Sequence, residues 1–194
     1  FRWGLDRDFD VLVEHDADGS HQPEELPRVL AALEHADMVK GSRWIKGGSV
    51  VTWPKSRELL SRGGSLWTRL WLGLGVKDPT GGLNAFRAQV LRDIIDELST
   101  AGFGFQVDLT WKALQHGYRV VEVPLEFMER EAGDSKMDSS IVVEAAVQTA
   151  RMALQADLDR LDRADRARLH FLVGRQLRRT GQLDQAVHHL SEAT

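Results

Sequence analysis

Apolar positions along the chain keep two rhythms. Short β-rich runs lie at residues 9–13 (FDVLV), 37–39 (DMV) and 118–123 (YRVVEV), and each predicts a strand. Between them the spacing changes to three and four. Leu26, Val29, Leu30 and Leu33 follow Pro23-Glu24-Glu25, which places acidic residues in the first turn of a helix. The same period predicts helices over 23–35, 55–73, 86–98, 106–116 and 139–162. Strands alternating with helices predict a layered α/β sheet. Glycine pairs punctuate it at Gly47-Gly48, Gly63-Gly64 and Gly81-Gly82, and the second pair predicts a weak point inside a helix.

From about Ala156 the pattern thins. DLDRLDRADRARLH is dense in charge, with Leu158, Leu161 and Leu169 as a sparse apolar stripe, and it predicts a solvated helical connector. Residues 167–194 predict a separate helical segment. The chain therefore divides into a sheet domain, 1–155, and a helical appendage, 156–194. Its 194 residues suit that division, and 42% hydrophobic with 28% charged residues is the balance of a soluble globular protein.

Charge and composition exclude some chemistry. A net charge of −4 removes the bulk electrostatic argument for a nucleic-acid partner. The absence of cysteine excludes disulfides, thiolate metal sites and a cysteine nucleophile, and it fits a reducing compartment. No apolar run approaches the ~18 residues that span a bilayer. The opening FRWGLDRD has no apolar core of a signal peptide and no initiating Met, as an internal cut would leave it.

Candidate chemistry gathers in four places. Asp16 and Asp18 flank Ala17 at the carboxyl end of the first predicted strand, where ligands of open α/β sheets bind. Such a pair suits a hard cation of the Mg²⁺ or Mn²⁺ type, which takes one or two carboxylates with phosphate and water. It also suits an Asx-rich turn capping the next helix. Arg43, Lys46, Lys55 and Arg57 form a basic cluster among Gly and Trp-Pro punctuation, a phosphate site or a solvated surface. In the helix 55–73, Leu60, Trp67, Trp71 and Leu74 form one stripe, with Leu59, Leu66 and Leu70 beside it. With its arginines it reads as a membrane-interface or lipid-groove helix, or as a core helix. Residues 130–136 (REAGDSK) make a Gly-containing loop with Arg130 and Lys136 as cationic clamps, or an exposed charged turn. His15, His21 and His116 read as solvated or packed rather than as bases.

In order, DVLVEHDADGSHQPEELP, GSRWIKGGSVVTWPKSRELLSRGG, DPTGGLNAFR, GFGFQVDL, RVVEVPLEF and REAGDSKM resemble the polyprenol-phosphate mannosyltransferases (dolichol-phosphate mannose synthases) of glycosyltransferase family 2. The resemblance covers roughly residues 8 to 150. It implies a GT-A-type α/β fold and transfer of mannose from GDP-mannose to a polyprenyl phosphate, with inversion and with Mg²⁺ or Mn²⁺. It implies that Asp16 and Asp18 contact donor ribose and metal, Asp18 more directly, and that Ala17 meets the donor through its backbone. Ser20 stands where the family often has a metal-proximal Gln. Arg43 and Arg57 would hold acceptor or leaving phosphates, with Ser61 nearby, and Arg130 and Lys136 would clamp the donor phosphates. Asp18, Arg43 and Arg57 are thereby the expected catalytic groups. A lipid phosphate is itself a strong nucleophile, so the chemistry to be supplied is neutralisation of two phosphorylated partners.

The resemblance also implies a place, the cytoplasmic face of a membrane, bound peripherally. Full-length members carry an earlier strand and an Asp-Asp segment that holds the nucleotide base. The expectation is therefore an N-terminally incomplete sheet with an exposed edge, half a donor site, and weak or no turnover by this chain alone. ARLHFLVGRQLRRTGQLDQAVHHLSEAT resembles one tetratricopeptide-like helix pair, with Gly174, Leu177, Gly181, Ala186, Leu190 and Ala193 at its small or apolar positions. One repeat cannot bury its own face, so the hairpin docks on the first domain, takes a protein partner or begins a longer array. Two other functions stay open: an inactive transferase serving as a scaffold through its tail, and a family 2 transferase of another sugar.

Overall fold

A computed structural model describes residues 1–98, 104–129 and 139–179. In chain order it has α1 (Arg2–Leu5), β1 (Val11–Glu14), a 3₁₀ turn (Pro23–Glu25) leading into α2 (Leu26–Ala32), and a second such turn (Leu33–His35). Then come β2 (Met38–Ser42), β3 (Ser49–Val50), α3 (Lys55–Leu72), β4 (Asn84–Arg87) and α4 (Ala88–Ile94). α5 (Phe105–Gln115), β5 (Val120–Pro124), β6 (Glu126–Phe127) and α6 (Ser139–Arg179) complete it. The chain forms two compact units, Phe1–Thr149 and Ala150–Thr194.

The main sheet has the order β1-β4-β2-β5. β4 runs antiparallel to both neighbours and β2 runs parallel to β5, so β1, β2 and β5 point the same way. Side chains alternate between its faces. One face carries Leu12, Phe86 and Met38 against Val90, Leu91 and Ile94 of α4 and Leu109 and Ala113 of α5. The other carries Ala85 and Val39, packed with Val29 and Leu33 from the α2 region, Leu83, Leu125 and Phe127. A small parallel ladder pairs β3 with β6.

The register adds a feature that apolar patterning hides. On the α4/α5 face, one step beyond the Leu12, Phe86 and Met38 row, Glu14 lies opposite Asn84, Asn84 opposite Lys40, and Lys40 opposite Glu122. A polar row thus crosses four strands at the carboxyl ends of the three parallel ones.

Two expectations change here. The helix predicted over 86–98 begins at Ala88, because residues 84–87 form β4, with Asn84 and Phe86 facing one way and Ala85 the other. The helix over 55–73 is unbroken at Gly63-Gly64, where an added Cβ would meet nothing within 4 Å. It stops at Gly73, whose φ of 65° is the left-handed end that glycine allows. Residues 156–167, expected as a helical connector, lie within α6, which runs on to Arg179; the second arm of the expected hairpin lies outside the described residues.

α3 is turned inside out. Its buried side chains are Ser65 and Thr68, while Leu59 and Leu70 are each 73% exposed and Leu60, Leu66, Trp67 and Trp71 are exposed beside them. Trp67 Nε1 donates to the carbonyl of Ala146 at 3.4 Å, within the first unit. The core-helix reading of its leucines is overturned.

Candidate active site

β1 ends at Glu14, and the chain then turns through His15–Ser20 with Gly19 at φ 79°. The turn is built around Asp18. Its Oδ1 accepts the Ser20 backbone N–H at 3.0 Å and the Ser20 hydroxyl. Ser20 is fully buried, and its hydroxyl donates to Asp18. Ser20, expected beside the metal, is placed as the residue that orients Asp18.

Asp16 is half exposed, and its Oδ2 lies 3.4 Å from Nε2 of the buried His21. His21 is wedged edge-on to Phe127 at 5.1 Å and tilted to His15 at 5.6 Å. Below Asp16 is Gly82, where an added Cβ would sit 2.8 Å from Asp16 Oδ2 and 3.4 Å from His21 Nε2. The carboxylate therefore occupies space that any other residue at 82 would fill. Among the described residues no group of three or more His, Cys, Asp or Glu could hold a metal. Two carboxylates with oxygen donors only fit a Mg²⁺ or Mn²⁺ ion that takes its other ligands from phosphate and water. Ala17 lies exposed between them.

Behind this corner stands the polar row. Lys40 is fully buried, and its Nζ donates to Asn84 Oδ1 at 2.6 Å and to the Gly81 carbonyl at 3.4 Å. Asn84 Nδ2 donates to Glu14 Oε2 (2.8 Å), the Gly81 carbonyl (3.0 Å) and Gln106 Oε1 (3.2 Å). Gln106 Nε2 closes the circuit on Glu14 Oε1 at 2.6 Å. Burial pushes the Lys40 ammonium down to about 8, with the charges of Asp78, Glu14 and Glu122 opposing and that of Arg43 adding. Lys40, Asn84, Gln106 and Gly82 escape a reading of the sequence. Gly82 gave a signal as punctuation, and Asn84 and Gln106 lie within the quoted DPTGGLNAFR and GFGFQVDL.

Arg43 departs from its expected place. It is buried, and Nε and Nη2 each reach an Asp78 oxygen at 2.7 Å, with Nη2 also donating to Thr80 Oγ1 at 3.0 Å. Burial raises the Asp78 carboxyl, but the Arg43 charge and hydrogen bonds outweigh it and hold the group below the usual carboxylate range. Glu122 pins the same loop by accepting the N–H groups of Lys77 (2.8 Å) and Asp78 (2.9 Å). Arg57 is nearer the surface. It pairs with Glu129 at 2.8 Å and lies over the Trp53 ring at 4.1 Å. Ser61, half-buried, is one turn further along α3 on the same face. Arg130 and Lys136 lie outside the described residues.

Residues 8–95 match the model of the family described as glycosyl transferase family 2. The chain is 54% identical over 157 residues to the undecaprenyl-phosphate mannosyltransferase of Micrococcus luteus, covering 80% of this chain and 65% of that one. It is 47% identical over 162 residues to the polyprenol monophosphomannose synthase of Mycolicibacterium smegmatis, covering 82% and 61%. To the dolichol-phosphate mannosyltransferase of Pyrococcus furiosus it is 35% identical over 156 residues, covering 78% and 43%. It thus spans less than two thirds of the length of these relatives. Among solved structures it resembles glucosyl-3-phosphoglycerate synthase from Mycobacterium tuberculosis in complex with Mn²⁺, UDP-glucose and phosphoglyceric acid. The TM-score is 0.50 at 18% identity, over 77% of this chain and 51% of that one, a likeness of fold. An Asp-Ala-Asp corner at the carboxyl end of a sheet strand, joined to these likenesses, shows a glycosyl transferase family 2 domain over residues 8–95, with the GT-A-type architecture.

Proposed function

We propose that this chain carries the metal corner and acceptor side of a polyprenol-phosphate mannosyltransferase, which moves mannose from GDP-mannose to a polyprenyl phosphate with inversion. The observation that carries the reading is the Asp16-Ala17-Asp18 corner, backed by Gly82 and oriented by Ser20. Asp16 and Asp18 are the residues that would hold a Mg²⁺ or Mn²⁺ ion, and its charge would stabilise the diphosphate leaving group. The names of the three mannosyltransferase relatives favour mannose over another sugar.

On the acceptor side, Arg57 presents a guanidinium beside Trp53 at the start of α3, and Ser61 follows it. That pair would receive the lipid phosphate. Arg43, committed to Asp78, shapes the floor of the site. Arg130 and Lys136 keep their proposed role as clamps on the donor phosphates. The outward leucines and tryptophans of α3 support peripheral attachment to a membrane, on its cytoplasmic face, with the isoprenoid chain of the acceptor beside them. No helix among the described residues is long and apolar enough to cross a membrane. A protein-binding role for the tail is a second reading, favoured by the exposed Leu154, Leu158, Phe171 and Leu172 on α6.

The test is calorimetric titration of the chain with GDP-mannose and Mn²⁺, with Asp18→Ala as control. Binding that is lost in the variant is the expected result. Heat that is absent from the parent, or unchanged in the variant, would overturn the corner as a donor site.

A further inference from the structure

Lys40 and Asn84 lie beneath the corner, and both hold the turn under it. We propose that this cross-strand pair positions the Asp-Ala-Asp corner: it fixes the Gly81-Gly82 turn, and the turn seats the Asp16 carboxylate. The inference deepens the donor-site reading above and rests on it.

The path is short. The Gly81 carbonyl takes donors from both partners, Lys40 Nζ at 3.4 Å and Asn84 Nδ2 at 3.0 Å. Gly81 itself lies on the backbone of β2, where an added Cβ would be 2.6 Å from the Gly41 carbonyl. The next residue is Gly82, and there the same addition would strike Asp16 Oδ2 at 2.8 Å. Gly82 thus leaves open the space beside the turn that the Asp16 carboxylate occupies. A second path runs along β1, since Asn84 also holds Glu14, two residues before Asp16, at 2.8 Å.

The chemistry of the pair allows one arrangement. An ammonium only donates, so Asn84 turns its oxygen to Lys40 and its amide nitrogen to Glu14 and Gly81. The ammonium also sets the charge of the corner. Three carboxylates, Glu14, Asp16 and Asp18, fall within five residues. Glu14 and Glu122 face Lys40 along the sheet row, Arg43 from the end of β2 and Asp78 from the loop before β4. A methionine would fill the same space without the cost of burying a charge. The lysine supplies what methionine would not, a donor to the turn and a counter-charge to Glu14.

Hydrogen exchange read by mass spectrometry, with Mn²⁺ titration in the presence of GDP, tests this on the full chain. Two variants are compared with the parent. Lys40→Met removes the ammonium, and Lys40→Asn with Asn84→Lys moves it to the other strand of the same ladder pair. In Lys40→Met, exchange at residues 14–19 and 80–84 is expected to rise by about tenfold with α4 and α5 unchanged, and Mn²⁺ affinity to fall about 10–100-fold. The swap is expected to recover both. Unchanged exchange at 14–19, or a rise spread evenly over the sheet, overturns the proposal. So does a swapped protein that folds but stays loose at the corner, or the failure of both variants to fold. A parent that binds no Mn²⁺ would overturn the donor-site reading, and exchange would still decide whether the pair holds the corner.

Discussion

Arg43 and Asp78 meet through two parallel contacts of 2.7 Å, Nε to Oδ2 and Nη2 to Oδ1, with both side chains buried. The Arg43 backbone N–H donates to the same Oδ2 at 3.0 Å. The pair ties the end of β2 to the loop that carries Gly81 and Gly82. Removing one partner leaves a buried charge unmatched, so Arg43→Met and Asp78→Asn are each expected to lower unfolding stability in urea by about 3–5 kcal/mol. The double variant Arg43→Met with Asp78→Met is expected to recover much of that. The pH dependence has a definite sign. The Asp78 carboxyl is held below its ordinary value, so its contribution is present above the unfolded-state value and is lost as pH falls through the folded one. The parent is expected to lose stability along that acid limb, and the double variant is expected to lack it. A single variant as stable as the parent would show that the pair does not hold the loop.

Gly82 is required for space rather than for backbone freedom. The added Cβ of Gly82→Ala, 2.8 Å from Asp16 Oδ2 and 3.4 Å from His21 Nε2, must displace one of them. Asp16 is the more exposed and moves more easily. The expected outcome is an Mn²⁺ affinity lower by about 10–100-fold, with a melting temperature close to the parent's. Equal affinities in calorimetry would mean that Asp16 tolerates the shift, and the turn would not be a seat.

The contrast between Asp16 and Lys40 explains what the sequence made legible. Asp16 and Asp18 stand out because spacing and the end of a strand are local properties, readable from a few residues. Lys40 does not, because a lysine in a strand reads as solvent-facing. Its burial depends on Asn84, 44 positions later. β4 was hidden for a related reason. Asn84–Arg87 is four residues long with a polar side chain at the centre of the sheet, which is no strand by composition, and only pairing on both sides makes it one. For α3 the period gave the stripe correctly. A stripe states that two faces differ and not which one meets solvent, so the outward turn of Leu59 and Leu70 needed the fold.

Burial of Lys40 has a consequence for stability against pH. Its ammonium titrates at about 8 in the folded chain against 10.5 for an unperturbed lysine. Between those values the unfolded chain binds more protons, so stability rises with pH across that window, by about 3 kcal/mol from this group. The measurement is taken as a difference, so that this group alone enters it. The unfolding free energy of the parent, taken relative to Lys40→Met, is expected to climb from pH 8 to 10.5 and to be flat below pH 7. A flat difference throughout would mean that the ammonium is solvated in the native state.

The outward face of α3 predicts lipid binding that is separable from folding. Leu59 and Leu70 are each 73% exposed, and the Trp67 and Trp71 rings lie tilted to each other at 5.2 Å beside them. Tryptophan prefers the headgroup level of a bilayer, and arginine stems such as that of Arg62 can lie along apolar surface with the charge in water. The double variant Leu59→Glu with Leu70→Glu places two carboxylates in the middle of this face. Both sites are exposed, so the expected stability change is within about 0.5 kcal/mol each. Cosedimentation with anionic vesicles is expected in the parent and lost in the variant, at equal melting temperature. A Ser65→Leu change on the opposite, buried side reverses the pattern: overpacking costs about 1–3 kcal/mol, and vesicle binding per folded molecule stays at the parent's level. If the two-glutamate protein still pelleted with vesicles as the parent does, the apolar face of α3 would not be what meets the lipid. Attachment would then have to come from elsewhere in the chain.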